Sequence, residues 1–214
     1  MWISVSAPAA AVAPPDFDRA PRAHEIRSDA EAIEAARTLA AEFAVGAAKR
    51  DPVSQIIQAA VDAGIARGAI DDTIAFVRRY TRPWIDSGQE RGSDDVFTIA
   101  PIGDLKIKLH AAEALLERAG RAVDAIIARP TNEGVGAAAV AVAEAKALTT
   151  GIAILASNKL HELAGTGSTL AEFNLDRYWR NARTHTVHDP VRWKYRAIGD
   201  YWLSGINPPR HGAI

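Results

Sequence analysis

The 214-residue chain has no cysteine. That absence excludes disulfides, thiolate metal sites and cysteine nucleophiles together, and nothing in it asks for an oxidising compartment. Net charge is nearly absent too. Against 26 Asp and Glu stand 25 Lys and Arg, leaving −1, a balance that favours neither nucleic acid nor an anionic membrane. No apolar run approaches the roughly 20 residues that cross a bilayer. Residues 1–15, MWISVSAPAAAVAPP, are apolar but carry no basic stretch, and Pro8, Pro14 and Pro15 interrupt them, which argues against a secretory leader. No segment alternates over strand length, and no unit of roughly 20–50 residues repeats. The expectation is a soluble, cytoplasmic, all-α protein, without nucleic-acid or membrane partners, and long enough for a real core.

What the chain does have is helical periodicity. Residues 1–27 read as a Pro/Ala-rich, loosely ordered arm. Ser28-Asp29-Ala30-Glu31 forms a capping box, starting a helix that should run to about Arg50, with Pro52 just beyond. A second helix is predicted from Pro52 to Arg82, stopping at Pro83. Its stripe is Ile56, Ile57, Ala60, Val61, Gly64, Ile65 and Gly68, with Gly64 and Gly68 admitting a neighbouring helix closely. After a polar loop at 83–95, a third helix is expected from Phe97 to Ala128, with Leu105, Leu109, Ala112, Leu116, Ala119, Val123 and Ile126 on one face. Thr131-Asn132 offers a cap for a fourth, from Glu133 to Leu163, closed by Gly165. Three helices of about 30 residues span roughly 45 Å each, which suits an elongated up-and-down bundle burying its outer faces by oligomerising. The expected divisions are the arm 1–27, a helix 28–51 and a bundle 52–214.

The stretch Leu170–Gly212 is different. It holds three of the five Trp and three of the six His. Asp189-Pro190 reads as an N-cap and first-turn proline. One helix should therefore end near Arg183 and another begin at Asp189, leaving His185 and His188 on a short connector. A metal reading of His185-x-x-His188 with Asp189 is set aside because Asp189 is better used as a cap. His110-x-x-Glu113 has the reverse of di-iron order, and Asn158-x-x-His161 lacks a carboxylate, so no metal is expected. Gly134-Val135-Gly136 follows no strand and is no dinucleotide fingerprint, and no nucleophile elbow is present. Arg177, Arg180, Arg183, Arg192 and Arg196 could form a solvated face, an ion-pair network or an anion site, with the structural readings favoured. Trp179, Trp193 and Trp202 fit a core or subunit interface better than a stacking platform. His24, His110, His161 and His211 read as structural or exposed.

This stretch resembles the C-terminus of flavin-dependent monooxygenases built on the acyl-CoA dehydrogenase fold, such as the sulfur-acquisition oxidoreductases and dibenzothiophene-type desulfurisation monooxygenases. The residues that carry the resemblance are Leu163-Ala164-Gly165-Thr166, Leu175-Asp176-Arg177-x-Trp179-Arg180-Asn181-Ala182-Arg183-Thr184-His185, His188-Asp189-Pro190-Val191-x-Trp193-Lys194 and Pro208-Pro209-Arg210-His211-Gly212. Gly64-Ile65-Ala66-Arg67-Gly68-Ala69 and Arg82-Pro83-Trp84 fit the first helix and loop of the same bundle, and Arg22-Ala23-His24-Glu25-Ile26 looks like the family's N-terminal opening. The chain departs from the pattern in three ways. The first helix runs into the bundle near Asp51-Pro52 without the family's central β-domain and most of its N-terminal helical domain. Tyr80 stands where the fold often has a flavin-phosphate Arg, with Arg79 and Arg82 nearby. Gly167 stands where relatives often have Arg.

The resemblance implies oxygenation of a small organosulfur substrate with reduced FMN, rather than FAD, supplied by a separate flavin reductase. It implies His185 and His188 as the catalytic imidazoles beside the flavin, an imidazole being suited to proton transfer near neutrality. Arg79, Arg82, Thr166 and Arg183 are the implied cofactor contacts, and the assembly is a homodimer or homotetramer. The rival expectation is a truncated, catalytically silent helical oligomerisation module of the same family.

Overall fold

A computed structural model of the protein describes the backbone of residues 29–211 and the side chains of 52–211. The expected arm, the capping box at Ser28, the apolar positions of the first helix, His24 and Gly212 lie outside the described residues. The chain separates into two units, Met1–Glu42 and Phe43–Ile214, and all the described side chains belong to the second.

Every regular element among the described residues is helical: α1 (Asp29–Tyr80), α2 (Val96–Ala128), α3 (Asn132–Ala164), α4 (Asp176–His188) and α5 (Arg192–Ser204), with 3₁₀ turns at Gly92–Asp94 and Thr166–Thr169. The all-α expectation holds. The helix break expected at Pro52 does not, because α1 continues through it. Proline's fixed φ of about −65° is itself helical, so its main loss is one backbone hydrogen bond, and the Pro52 ring is fully buried.

The helix ends follow local chemistry. Asp95 caps α2 by accepting from Phe97 N–H at 2.8 Å. Thr131 caps α3 by accepting from Gly134 N–H at 3.0 Å. Gly165 ends α3 at φ 80°, ψ −177°, a region essentially reserved for glycine. The buried positions of α2 are Leu105, Leu109, Ala112, Ala119, Val123 and Ile126, which is the predicted stripe apart from half-buried Leu116.

At the centre stands α3, which packs against α2, α4 and α5. It is buried around most of its circumference, largely through alanines that let neighbouring backbones come close. The sequence shows no obvious stretch apolar enough for a bilayer, but α3 does have the length and composition. Even so, 72% of its apolar window is buried inside the protein, as befits a core helix. The main core joins Ile70, Phe76 and Val77 of α1 to Leu105 and Leu109 of α2, Ile152 and Leu160 of α3 and Ala182 of α4. Each buried Leu, Ile, Val or Phe side chain among these contributes about 1.5–3 kcal/mol by leaving water.

Candidate functional site

Where α1 and α3 end side by side, the chain forms a cleft. Thr81 Oγ1 donates to the Ala164 carbonyl at 3.1 Å, joining the two ends, and the 3₁₀ turn after Gly165 folds across them. Ser168 is buried in that turn, its Oγ donating to Gly165 O at 2.7 Å and lying 2.9 Å from His161 Nδ1. His161 thus has the structural role expected of it. Beside the turn, Phe76, Tyr80 and Phe173 form an aromatic trio with centroids 4.9–5.2 Å apart. These rings, with Arg82, Thr166 and the Gly167 backbone, line a cleft of about 520 Å³, and Glu172 joins its lining. Arg79 lies over the Tyr80 ring, its Cζ 5.1 Å from the ring centre.

The two histidines are elsewhere. The connector expected for them is the last turn of α4, which runs on to His188. Asp189 does not cap α5. Val191 holds that position with no side-chain bond, while buried Asp189 accepts from Lys194 Nζ at 3.0 Å. Burial holds the Lys194 ammonium below its ordinary value of 10.5; Asp189 offsets this, and the nearby charge of Lys146 adds to it. His188 and Arg183 are exposed. His185 reaches inward, its Nδ1 2.5 Å from Asp62 Oδ1. The other oxygen, Asp62 Oδ2, accepts from Lys146 Nζ at 2.7 Å and Thr150 Oγ1 at 2.9 Å.

Asp62 and Lys146 were missed by sequence reading, though both carry a signal. Each is a lone charge on an otherwise apolar, alanine-rich helical face, and such a charge is buried only when paired.

The arginines of α4 and α5 mostly make ion pairs, as the structural readings hold. Arg177 Nη2 pairs with Asp72 at 2.7 Å, Arg180 with Asp176 at 3.1 Å and Arg196 with Asp200 at 3.3 Å, while Arg183 and Arg192 are exposed. Tyr178 O–H donates to the same Asp72 carboxylate at 2.9 Å. Burial and that carboxylate raise the phenol above its ordinary 10.0. The core alternative for the three tryptophans is overturned: Trp179, Trp193 and Trp202 are all exposed.

Residues 56–193 match the acyl-CoA dehydrogenase C-terminal domain family. The chain belongs to that family. It is 35% identical over 160 residues to a dibenzothiophene monooxygenase of Rhodococcus erythropolis, covering 73% of this chain and 38% of the relative. A probable FMNH2-dependent monooxygenase, SfnC of Pseudomonas putida, is 32% identical over 165 residues, 76% of this chain and 42% of that one. The fold is similar to FMN-bound TdsC of Paenibacillus sp. A11-2, with a TM-score of 0.76, 32% identity, and coverage of 83% of this chain and 46% of the other. The chain therefore spans less than half the length of these relatives.

Within this acyl-CoA dehydrogenase-type bundle, the predicted contacts fall into two groups. Arg82 and Thr166 line the cleft and Arg79 lies over the Tyr80 ring, whereas His185, His188 and Arg183 lie on α4. Asp62, which holds His185, is 18 residues before Tyr80 on α1, or roughly 27 Å of helix. The cleft's one guanidinium, the hydroxyls of Thr81, Thr166 and Tyr80 and the three aromatic walls suit an aromatic ligand with an anionic tail. The His-His-Asp set weighed for metal is not assembled, since Asp189 faces Lys194.

Proposed function

We propose that this chain is the helical, flavin-handling part of a cytoplasmic FMN-dependent monooxygenase acting on small organosulfur compounds. The observation that carries the reading is the extent of the family match, which takes in every cleft residue and both imidazoles. FMN is preferred to FAD because FMN is what TdsC holds and what SfnC is named for. When bound, reduced FMN supplies the electrons that activate dioxygen for insertion at sulfur. Arg82 and Thr166 hold the phosphate by a charge-assisted bond and a hydroxyl bond. The walls of Phe76, Tyr80 and Phe173 keep water from its flank, and Arg79 adds positive potential beside Tyr80. On α4, exposed His188 exchanges a proton with the reacting atoms while Arg183 adds a second cation.

Asp62 stands some 27 Å of helix before Tyr80, and a second copy that contributes its α4 would bring cleft and imidazoles to one flavin. A homodimer or homotetramer follows. The FMN arrives already reduced from a separate flavin reductase, as the resemblance to the flavin-dependent monooxygenases implies.

Anaerobic titration with reduced FMN tests this. Saturable binding is expected, weakened about tenfold or more by Arg82→Ala/Thr166→Ala, since a charged hydrogen bond is worth about 1.5–3 kcal/mol. Supplied with a flavin reductase, the assembly should add one oxygen to dibenzothiophene or a small alkyl sulfinate. Equal affinity for wild type, that pair and His185→Ala/His188→Ala overturns the reading.

A second reading, a catalytically silent oligomerisation module of the family, is favoured by exposed Trp202, Leu203 and Ile206 at the end of α5. Co-purification with a full-length relative, and no flavin bound alone, supports it.

A further inference from the structure

Asp62 and Lys146 face each other in mid-helix, with side chains 0% and 1% exposed, and neither has a part in the proposed flavin chemistry. As a stabilising device the pair is poor, because taking two charges out of water offsets most of their attraction. Its arrangement points to another use. Three donors from two helices converge on one carboxylate: Lys146 and Thr150 of α3 at Oδ2, and His185 of α4 at Oδ1. Beside the Lys146 ammonium, the Asp62 carboxylate is an acceptor only, so the contact with His185 must run from Nδ1–H to Oδ1. In the neutral ring, Nε2 then keeps its lone pair. The His185 side chain is 21% exposed, while the carboxylate it contacts is fully buried.

We propose that Asp62 is a positioning residue that fixes His185 as the Nδ1–H tautomer, making Nε2 a proton acceptor at the end of α4. A buried carboxylate on Nδ1 is the arrangement that sets ring orientation and tautomer in acid–base dyads. Lys146 and Thr150 occupy Oδ2, leaving Oδ1 for the ring. The two imidazoles thereby differ: His185 is a held acceptor, and His188, one turn on, is solvated. Use of Nε2 in oxygenation rests on the monooxygenase reading, whereas the tautomer does not.

The test uses the full chain, labelled with nitrogen-15 in its histidine rings, without flavin and above the pH at which the ring loses its second proton. His185→Asn identifies the His185 signals by their loss. The expected wild-type pattern is a pyrrole-like Nδ1 and a pyridine-like Nε2. Asp62→Leu/Lys146→Met removes both buried charges together, a replacement such sites often tolerate. If folded, as judged by its helical circular dichroism, it should release the ring to the Nε2–H form or a mixture. A pyridine-like Nδ1 in the wild type overturns the proposal, as does an unchanged pattern in the folded double variant. Should that variant not fold, the wild-type spectrum decides alone, Nδ1–H for the proposal and Nε2–H against it. Failure of FMN binding would leave this result standing.

Discussion

At Gly64 and Gly68, one turn apart on α1, the same residue has opposite consequences. A Cβ on Gly64 would meet nothing within 4 Å, while one on Gly68 would sit 2.8 Å from Cε1 of Tyr178. That ring cannot easily yield, since its hydroxyl is bonded to Asp72 and Arg177 lies 4.3 Å from its centre. Alanine gains up to about 1 kcal/mol over glycine in a helix, and overpacking costs about 1–3 kcal/mol. Gly64→Ala should therefore raise the urea midpoint, and Gly68→Ala should lower it, at a net stability cost of about 1 kcal/mol. The sequence predicted close helix approach at both positions, and only the partner on α4 tells them apart. Lys194 and Tyr178 set opposite pH dependences. Burial lowers Lys194, so the unfolded chain binds more protons between the folded value and 10.5, and stability rises with pH in that window. Tyr178 is raised above 10.0, burial being the first cause. The folded chain therefore holds its proton longer, and stability is lost as pH climbs through the folded value. In chemical unfolding across alkaline pH, Lys194→Met should flatten the rise and Tyr178→Phe the fall.

The junction of α4 and α5 shows which element boundaries were legible. Thr131 and Gly165 were read correctly because a cap and a terminating glycine act within a few residues of chain. Asp189-Pro190 has the same local form, yet Asp189 turns to Lys194, five residues on and wholly buried. Burial is a tertiary fact that no cap pattern encodes, and for the same reason Pro52 did not break α1. Magnitude separates the two roles of Asp189. A lost cap costs about 1 kcal/mol, whereas removing one partner of a buried ion pair costs about 3–5 kcal/mol. Asp189→Ser keeps a capping hydroxyl and removes the charge. Thermal or urea unfolding should find it destabilised by the larger amount, with Asp189→Leu/Lys194→Met recovering most of the loss. A loss near zero for Asp189→Ser would restore the cap, since serine caps a helix about as well as aspartate.

For the molecule as a whole, the family read from the motifs is right, and the grouping of their residues is what the sequence could not convey. Arg82 and Thr166 meet because α1 and α3 end together, while His185 is drawn to Asp62 by a charge in the middle of α1. On the proposed reading the two-part site is completed by another copy of the chain, and the exposed apolar residues say where to look. Leu203 is 89% and Ile206 57% exposed at the end of α5, beside Trp202 at 70%. Single exposed apolar residues need no explanation, but a contiguous group marks an association surface. In a monomer, changing such positions would move stability by less than about 0.5 kcal/mol. Leu203→Glu/Ile206→Glu should instead shift the sedimentation profile from a dimer or tetramer toward monomer, with the helical spectrum retained. Neither residue lines the cleft between α1 and α3, so FMN affinity should fall only as far as the assembly dissociates and should return when chain concentration is raised. A monomeric wild type that binds FMN as tightly as the variant would mean that one chain encloses the flavin alone, and the separation along α1 would then have to be bridged by a ligand-induced rearrangement of α4.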